Sequence, residues 1–213
     1  MRAVFIRHGQ STGNAGIPCH DLALIELTEL GRHQAKEVAT SWTERPSLIV
    51  TSPYVRARQT AEPTIERFPD VPVEVWPIQE FTYLQPSRWN GTLTKDRKPH
   101  IERYWGTADP AFCDGEGAES FSTLLERARA ALERLEAMPQ DALVYLFSHG
   151  QFIQALNLLV RYQGMTDGEI MRSFPNYDRE HPIGNGDLLM LTRGQEGGFE
   201  VEGSRYLDLP VQA

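Results

Sequence analysis

The chain has almost no cysteine: Cys19 and Cys113 are the only two in 213 residues. Two thiols are too few for a disulfide framework, and they are read as separate and reduced. There is no excess of positive charge either. Against 29 Asp and Glu stand 21 Lys and Arg, a net charge of −8, without the basic stripe of a nucleic-acid binder. A few converging arginines can still make a local positive funnel for an anion. No apolar run approaches the roughly 18 residues of a membrane helix. Met1-Arg2 is followed by only four apolar residues before Arg7, which is not a secretory pattern. Internal repeats, linkers, a Gly-x-x-x-x-Gly-Lys loop and a His-x-x-x-His spacing are all missing. The expectation is a cytoplasmic, single-domain globular protein (residues 1–213) without metal or cofactor, whose partners are small molecules and not nucleic acid or membrane. Oligomeric state is not legible.

With 40% apolar residues, the chain has enough for a sizeable core, and the apolar positions alternate between two periods. Residues 2–6, 47–51, 71–78 and 142–147 read as strands. Residues 28–42, 119–138 and 151–162 read as helices, with Ala35, Val38, Ala39 and Trp42 on one face of the first and Phe121, Leu124, Leu125, Ala128, Leu132 and Leu135 on one face of the second. Ser52-Pro53 reads as the opening of a further helix, with serine as cap, which Pro63 should end or kink. Residues 187–192 and 199–206 read as a hairpin around Gln195-Glu196-Gly197-Gly198. Repeated strand-then-helix units predict an α/β fold: a three-layer α/β/α sandwich with a mostly parallel central sheet and one antiparallel strand. Residues 82–118, with three prolines and a Gly115-Glu116-Gly117 cluster, read as an irregular lid-like insertion carrying Tyr83, Trp89, Tyr104 and Trp105.

The chemistry gathers at predicted strand ends, where α/β sheets bind ligands. Arg7-His8-Gly9-Gln10-Ser11-Thr12-Gly13-Asn14 follows the first strand, and Ser148-His149-Gly150 follows the fourth. Arginine offers a rigid fork for phosphate, a neutral imidazole can act as nucleophile, and the small residues after His8 allow close approach of backbone to an anion. Ser52 to Ala61 puts another helix start at a strand end with Arg56 and Arg58, of which position alone does not choose one. Glu80 follows the third strand. These parts suit phosphoryl transfer: an imidazole attacks phosphorus, arginines and a second histidine hold the equatorial oxygens, and a carboxylic acid protonates the leaving alkoxide. Loss of one arginine should cost about 3 kcal/mol of transition-state stabilisation. His20, His33, His100 and His181 have no such company and are read as surface or packing residues.

Arg7, His8, Gly9, Ser11 and Asn14 match the opening Arg-His-Gly-x-Ser-x-x-Asn signature of the histidine phosphatase superfamily, which includes the cofactor-dependent phosphoglycerate mutases. Leu27-Thr28-Glu29-Leu30-Gly31-Arg32-His33-Gln34-Ala35 resembles its Leu-Thr-x-x-Gly-x-x-Gln-Ala segment. Ser52 to Thr60 resembles its Ser-x-x-x-Arg-Ala-x-x-Thr element, which selects Arg56 over Arg58. Gly117-Ala118-Glu119-Ser120 and Ser148-His149-Gly150 look like two further family segments. The resemblance implies His8 as a phosphorylated nucleophile, Arg7, Arg56 and His149 as the phosphate pocket, and Ser11, Asn14, Gly150 and Gln151 beside the substrate. The proton donor falls to Glu80 by position, with Asp114, Glu116 and Glu119 as rivals. The expected activity is metal-independent hydrolysis of a phosphate monoester, with mutase-type transfer or non-catalytic phosphoprotein binding as alternatives. The lid lacks the mutase pattern Tyr-Gly-x-Leu-x-Gly-Leu-Asn-Lys, and its aromatics suggest a small, partly apolar ester.

Overall fold

A computed structural model describes residues 1–92, 94–194 and 197–205. In chain order the elements are β1 (Arg2–Arg7), α1 (Glu29–Ser41), β2 (Leu48–Thr51), α2 (Val55–Arg67), β3 (Val73–Val75), α3 (Pro86–Trp89), α4 (Thr94–Thr107), α5 (Phe121–Glu136), β4 (Leu143–Ser148), α6 (Gly150–Arg161), α7 (Asp167–Glu180), β5 (Leu188–Arg193) and β6 (Phe199–Arg205). The sheet runs β3-β2-β4-β1-β5-β6. Strands β1 to β4 are mutually parallel, and β5 runs opposite to all the others, pairing antiparallel with both β1 and β6.

Both faces of the sheet are covered because the buried strands are apolar at successive positions, sending alternate side chains to opposite sides. Ala3 and Phe5 of β1, with Val144 and Leu146 of β4, join the core beneath α5, α6 and α7. Val4 and Ile6, with Leu143, Tyr145 and Phe147, join the core beneath α1 and α2 around Val38, Trp42 and Ala61. Caps fix the helix starts: Thr28 accepts from Gly31 N–H, Ser120 from Thr123 N–H, and Thr166 forms a capping box with Glu169. Cys19 and Cys113 are free thiols. Among the described residues no helix is long and apolar enough to cross a membrane.

The local expectations need five corrections. The third strand is three residues, not 71–78, and its side chains are exposed. Pro72 and Pro77 bracket it without N–H groups, and Trp76 and Ile78 reach the core from the irregular segment that follows. Ser52 does not cap α2; Tyr54 holds that position without a side-chain bond, and Pro63 lies inside a helix that continues to Arg67. The insertion at 82–118 is not irregular throughout, since it contains α3 and α4. Its Ile101, Tyr104 and Trp105 sit at i, i+3 and i+4, a helical stripe obscured by Pro99. Tyr104 is 1% exposed and Trp105 stacks on Phe174 at 5.2 Å, so the root of the insertion is anchored in the main core. Helix α7, interrupted in its pattern by Pro175, is additional to the expected elements. The predicted hairpin is present as β5 and β6, while Gln195, Glu196 and Tyr206 lie outside the described residues.

Candidate active site

The register of β1 against β4 pairs Arg7 with Ser148, so His8 and His149 leave the sheet side by side. Their rings are 5.0 Å apart, and both residues are almost fully buried. On the other flank β2 pairs Thr51 with Phe147, which brings Ser52 Oγ to 2.8 Å from His149 Nε2.

His8 is held in a defined tautomer. Its Nδ1 lies 2.7 Å from the Gly9 carbonyl, an acceptor only, so Nδ1 carries the proton. Nε2 accepts from Arg56 Nε at 3.0 Å and therefore presents a lone pair. Burial, then the positive charges of Arg56 and Arg7, push the His8 imidazole well below its ordinary pKa. His149 is depressed in the same way, by burial first and then by Arg56. Both rings are thus neutral at pH 7. Ser52 Oγ accepts from Tyr54 N–H and has its own proton available for His149 Nε2, although its second lone pair would equally accept from an Nε2–H. In the tautomer that takes the Ser52 proton at Nε2, the His149 proton is on Nδ1, which is buried without a partner.

The turn after His8 is built by residues far away in sequence. A methyl group on Gly9 would stand 2.4 Å from the Gly31 carbonyl oxygen, and one on Gly31 would stand 2.0 Å from that of Gln10. The two glycines let the loop press against the start of α1. Thr60 Oγ1 then accepts from Gly9 N–H, Gln34 Oε1 from Gln10 N–H, and the Gln10 carbonyl receives Thr28 Oγ1–H. The motif residues Thr28, Gly31, Gln34 and Thr60 thus support the His8 turn and do not line the site themselves.

Arg56 is 5% exposed; besides His8, it donates to the Leu22 carbonyl at 2.7 Å. Arg58 is exposed, one helical face away. Arg7 donates through Nη1 to the Ile183 carbonyl, while its buried Nε has no partner. Gly150 packs beside it: a methyl group there would meet that Nε at 3.4 Å, an ordinary van der Waals contact. Glu80 comes within 4.8 Å of both His8 and His149, measured between their ligand atoms. Its Oε1 accepts from the backbone N–H of Gln151 at 3.0 Å and of Phe81 at 3.2 Å. Gln151 therefore reaches the site through its backbone.

The structure brings Arg7, His8, Arg56, Glu80 and His149 together. Ser11 and Asn14 join them in a cavity of about 180 Å³ that also holds His8, Arg56 and Glu80. Asn14 Oδ1 accepts from Ser11, backbone and hydroxyl, and from Asn185 Nδ2. The rival carboxylates are engaged elsewhere or apart: Glu119 pairs bidentately with Arg127 at 2.6 and 2.8 Å, Asp114 accepts from Gln85 N–H, and Glu116 is exposed.

Four relevant residues escaped the sequence reading. Asn185 clasps the His8 carbonyl to Asn14, and its only signal was a Gly-Asn-Gly turn before β5. Arg127 donates to the carbonyls of Pro77 and Gln79, the segment that delivers Glu80. Asp178, on α7, has its carboxyl pushed up by burial and then by the Glu80 charge. Arg97 of α4 lines the cavity.

His8, Glu80 and His149 are also the one grouping among the described residues whose donor atoms could share a metal ion. Arg7 and Arg56 set two fixed positive charges beside them, which disfavours a cation and favours an anion. Two buried nitrogens are orphaned, Arg7 Nε and His149 Nδ1: the first is an N–H donor without an acceptor, the second is one in the tautomer that accepts from Ser52, and both then fit the oxygens of a bound oxyanion.

Residues 3–171 match the family model described as histidine phosphatase superfamily, branch 1. The chain belongs to that superfamily. It is 27% identical over 179 residues to a metal-independent phosphoserine phosphatase of Arabidopsis thaliana, covering 81% of this chain and 74% of that one. It is 31% identical over 154 residues to a protein of Photorhabdus laumondii named as a probable phosphoglycerate mutase, covering 70% of each. Among solved structures, a mycobacterial glucosyl-3-phosphoglycerate phosphatase superposes with a TM-score of 0.74 at 26% identity, over 94% of this chain and 96% of the other.

Proposed function

We propose that this histidine phosphatase superfamily member hydrolyses small phosphate monoesters through a phosphohistidine on His8. The observation that carries the reading is the neutral His8 imidazole, whose Nε2 lone pair meets Arg56 Nε at 3.0 Å in a pocket shared with His149 and Glu80. The Arg56 donor marks where phosphoryl oxygens would sit once substrate replaces that hydrogen bond.

In the proposed reaction His8 Nε2 attacks phosphorus and the bond from phosphorus to the ester oxygen breaks. Arg7, Arg56 and the Nδ1–H of His149 hold the three equatorial oxygens, where negative charge is spread in the transition state. Glu80, entering as the carboxylic acid, gives its proton to the departing alkoxide. In the second half, water attacks the phosphohistidine, Glu80 takes back a proton, and the bond from nitrogen to phosphorus breaks to release phosphate. Asn14, whose Oδ1 takes the hydrogen bonds from Ser11 and Asn185, lines the cavity and keeps Nδ2 as a donor for the ester. No step calls for a metal ion. The phosphatase names of two relatives support hydrolysis, and small phosphate esters are the substrates those names describe.

Transfer to a second acceptor is the competing reading, favoured by one feature. The lid is pinned across the site, with Gly91 N–H donating to the Cys19 carbonyl at 2.6 Å and Asn90 Nδ2 to that of His20, and a covered phosphoenzyme resists water. Hydrolysis of p-nitrophenyl phosphate in excess EDTA, by the natural chain and by His8→Ala, tests the main reading. Turnover that survives EDTA and disappears in His8→Ala is the expected result. An inert natural chain that interconverts phosphoglycerates would replace hydrolysis with transfer.

A further inference from the structure

Beyond the strand ends, the cavity that holds His8 continues under the insertion. Leu22, Trp89, Asn90 and Arg97 are shared between it and an adjoining cavity of about 200 Å³. Two of these wall residues carry a buried nitrogen with nothing to bond: Nε of Arg97 and Nε1 of Trp89. Both are N–H donors only, so each calls for an acceptor that the protein does not supply. The Arg97 guanidinium is oriented by one bond, Nη2 to the Thr92 carbonyl at 2.8 Å. It takes part in none of the ion pairs among the described residues. An unpaired guanidinium and an unpaired indole N–H in a half-buried wall are costly to keep unless a ligand fills them.

The remaining lining favours one kind of ligand group. The adjoining cavity is walled by apolar and aromatic side chains, including Phe81, Tyr83, Leu84 and Ile101. A group carrying two negative charges would face a single guanidinium there and keep half its charge uncompensated in poorly solvated surroundings. A carboxylate matches one guanidinium in charge, and its planar pair of oxygens matches the fork. Arg56 lines the His8 cavity but not the adjoining one, and Arg7 lines neither; set at the strand ends beside His8, both suit the phosphoryl group.

We propose that Arg97, assisted by the indole N–H of Trp89, binds a carboxylate on the leaving portion of the substrate, so that the preferred esters are small phosphorylated hydroxy acids. This rests on the reading of the His8 pocket as a phosphate-ester site, and it departs from the partly apolar ester that the aromatic lid suggested in the sequence. Arg97 acts here as a specificity residue and takes no part in breaking the ester bond.

The test compares 3-phosphoglycerate with glycerol 3-phosphate, which differ by a carboxylate in place of a hydroxymethyl group. The natural chain should favour the carboxylate ester in kcat/KM by roughly tenfold to a hundredfold, the range for a hydrogen bond to a charged group. Arg97→Gln should collapse that ratio to within about threefold, Arg97→Lys should keep part of it, and Trp89→Phe should fall between. Because each variant is its own control, damage to the fold that slows both esters cancels in the ratio. A natural chain that turns over p-nitrophenyl phosphate yet treats the two esters alike overturns the carboxylate site and leaves the phosphatase reading standing. So does Arg97→Gln with its preference intact. A chain inert toward every ester contradicts the phosphatase reading instead. Calorimetry with the same two ligands then decides this site alone: Arg97-dependent preference for 3-phosphoglycerate upholds it, and equal binding overturns it.

Discussion

Replacing Arg56 by glutamine should move activity and stability in opposite directions. Arg56 is buried, donates to His8 Nε2 and to the Leu22 carbonyl, and has no ion-pair partner among the described residues. In the unliganded protein it is a desolvated charge held by two hydrogen bonds to neutral groups, a poor bargain for the fold. In the proposed transition state it faces the phosphoryl oxygens. Removing one such preorganised donor costs about 3–4 kcal/mol, a loss of roughly a hundredfold to a thousandfold in kcat. The unliganded Tm should hold or rise. Phosphate at a hundred times its Kd stabilises the native state by about 2.7 kcal/mol. For a chain of this length that is a Tm gain of about 5–10 °C, which Arg56→Gln should largely lose. Arg56 is also the leading charge depressing His8, so the His8 imidazole should titrate at higher pH in the variant, visible by NMR. Steady-state kinetics and calorimetric melts with and without phosphate measure both effects. A variant within tenfold of natural activity, or one that melts far lower without phosphate, would refute the reasoning.

Other predictions follow from the same geometry. Glu80→Gln should cut hydrolysis of alkyl phosphates at least a hundredfold but that of p-nitrophenyl phosphate much less, since the aryl leaving group needs little protonation; equal losses on both would remove Glu80 as the acid. Arg127→Met should reproduce that leaving-group dependence in weaker form, by freeing the Pro77–Gln79 segment, and an unchanged alkyl-to-aryl ratio would deny it a positioning role. His8 and His149 are held below their unfolded pKa, so the unfolded chain binds more protons in acid. Their stabilising contribution is complete above pH about 6.5 and shrinks as pH falls below it, by about 1.4 kcal/mol per pH unit for each ring; His149→Gln should halve that slope in denaturant melts. Gly31→Ala sets a methyl 2.0 Å from the Gln10 carbonyl and should cost about 1–3 kcal/mol, together with most of the activity, because the His8 turn must shift.

The sheet was largely legible in the sequence because β1, β2 and β4 are short continuous apolar runs, the pattern of strands covered on both faces. His8, Arg7 and His149 could be placed because they directly follow those runs, and register does the rest. Arg56 needed the family pattern, since periodicity alone left Arg58 open. Glu80 was the hardest. It follows β3, whose edge position and flanking prolines give a weak strand signal, and it is aimed by Gln151 N–H and Arg127, contacts separated by 71 and about 50 residues. Helix α7 hid behind Pro175, although its Thr166/Glu169 capping box was readable. Asn185, Asp178 and Arg97 sit on turns and helices whose sequences carry no chemical motif. Only the folded chain brings them to the site.

The central claim is that phosphate passes through His8. Rapid quench of the natural chain with a phosphate monoester into alkali, which preserves phosphohistidine, followed by peptide mapping, tests it most directly. The account predicts a phosphoryl group on the peptide containing His8, attached at Nε2 by ³¹P NMR, formed and lost at rates compatible with kcat and absent from His8→Ala. Phosphate on another residue, or full turnover by His8→Ala, would contradict it.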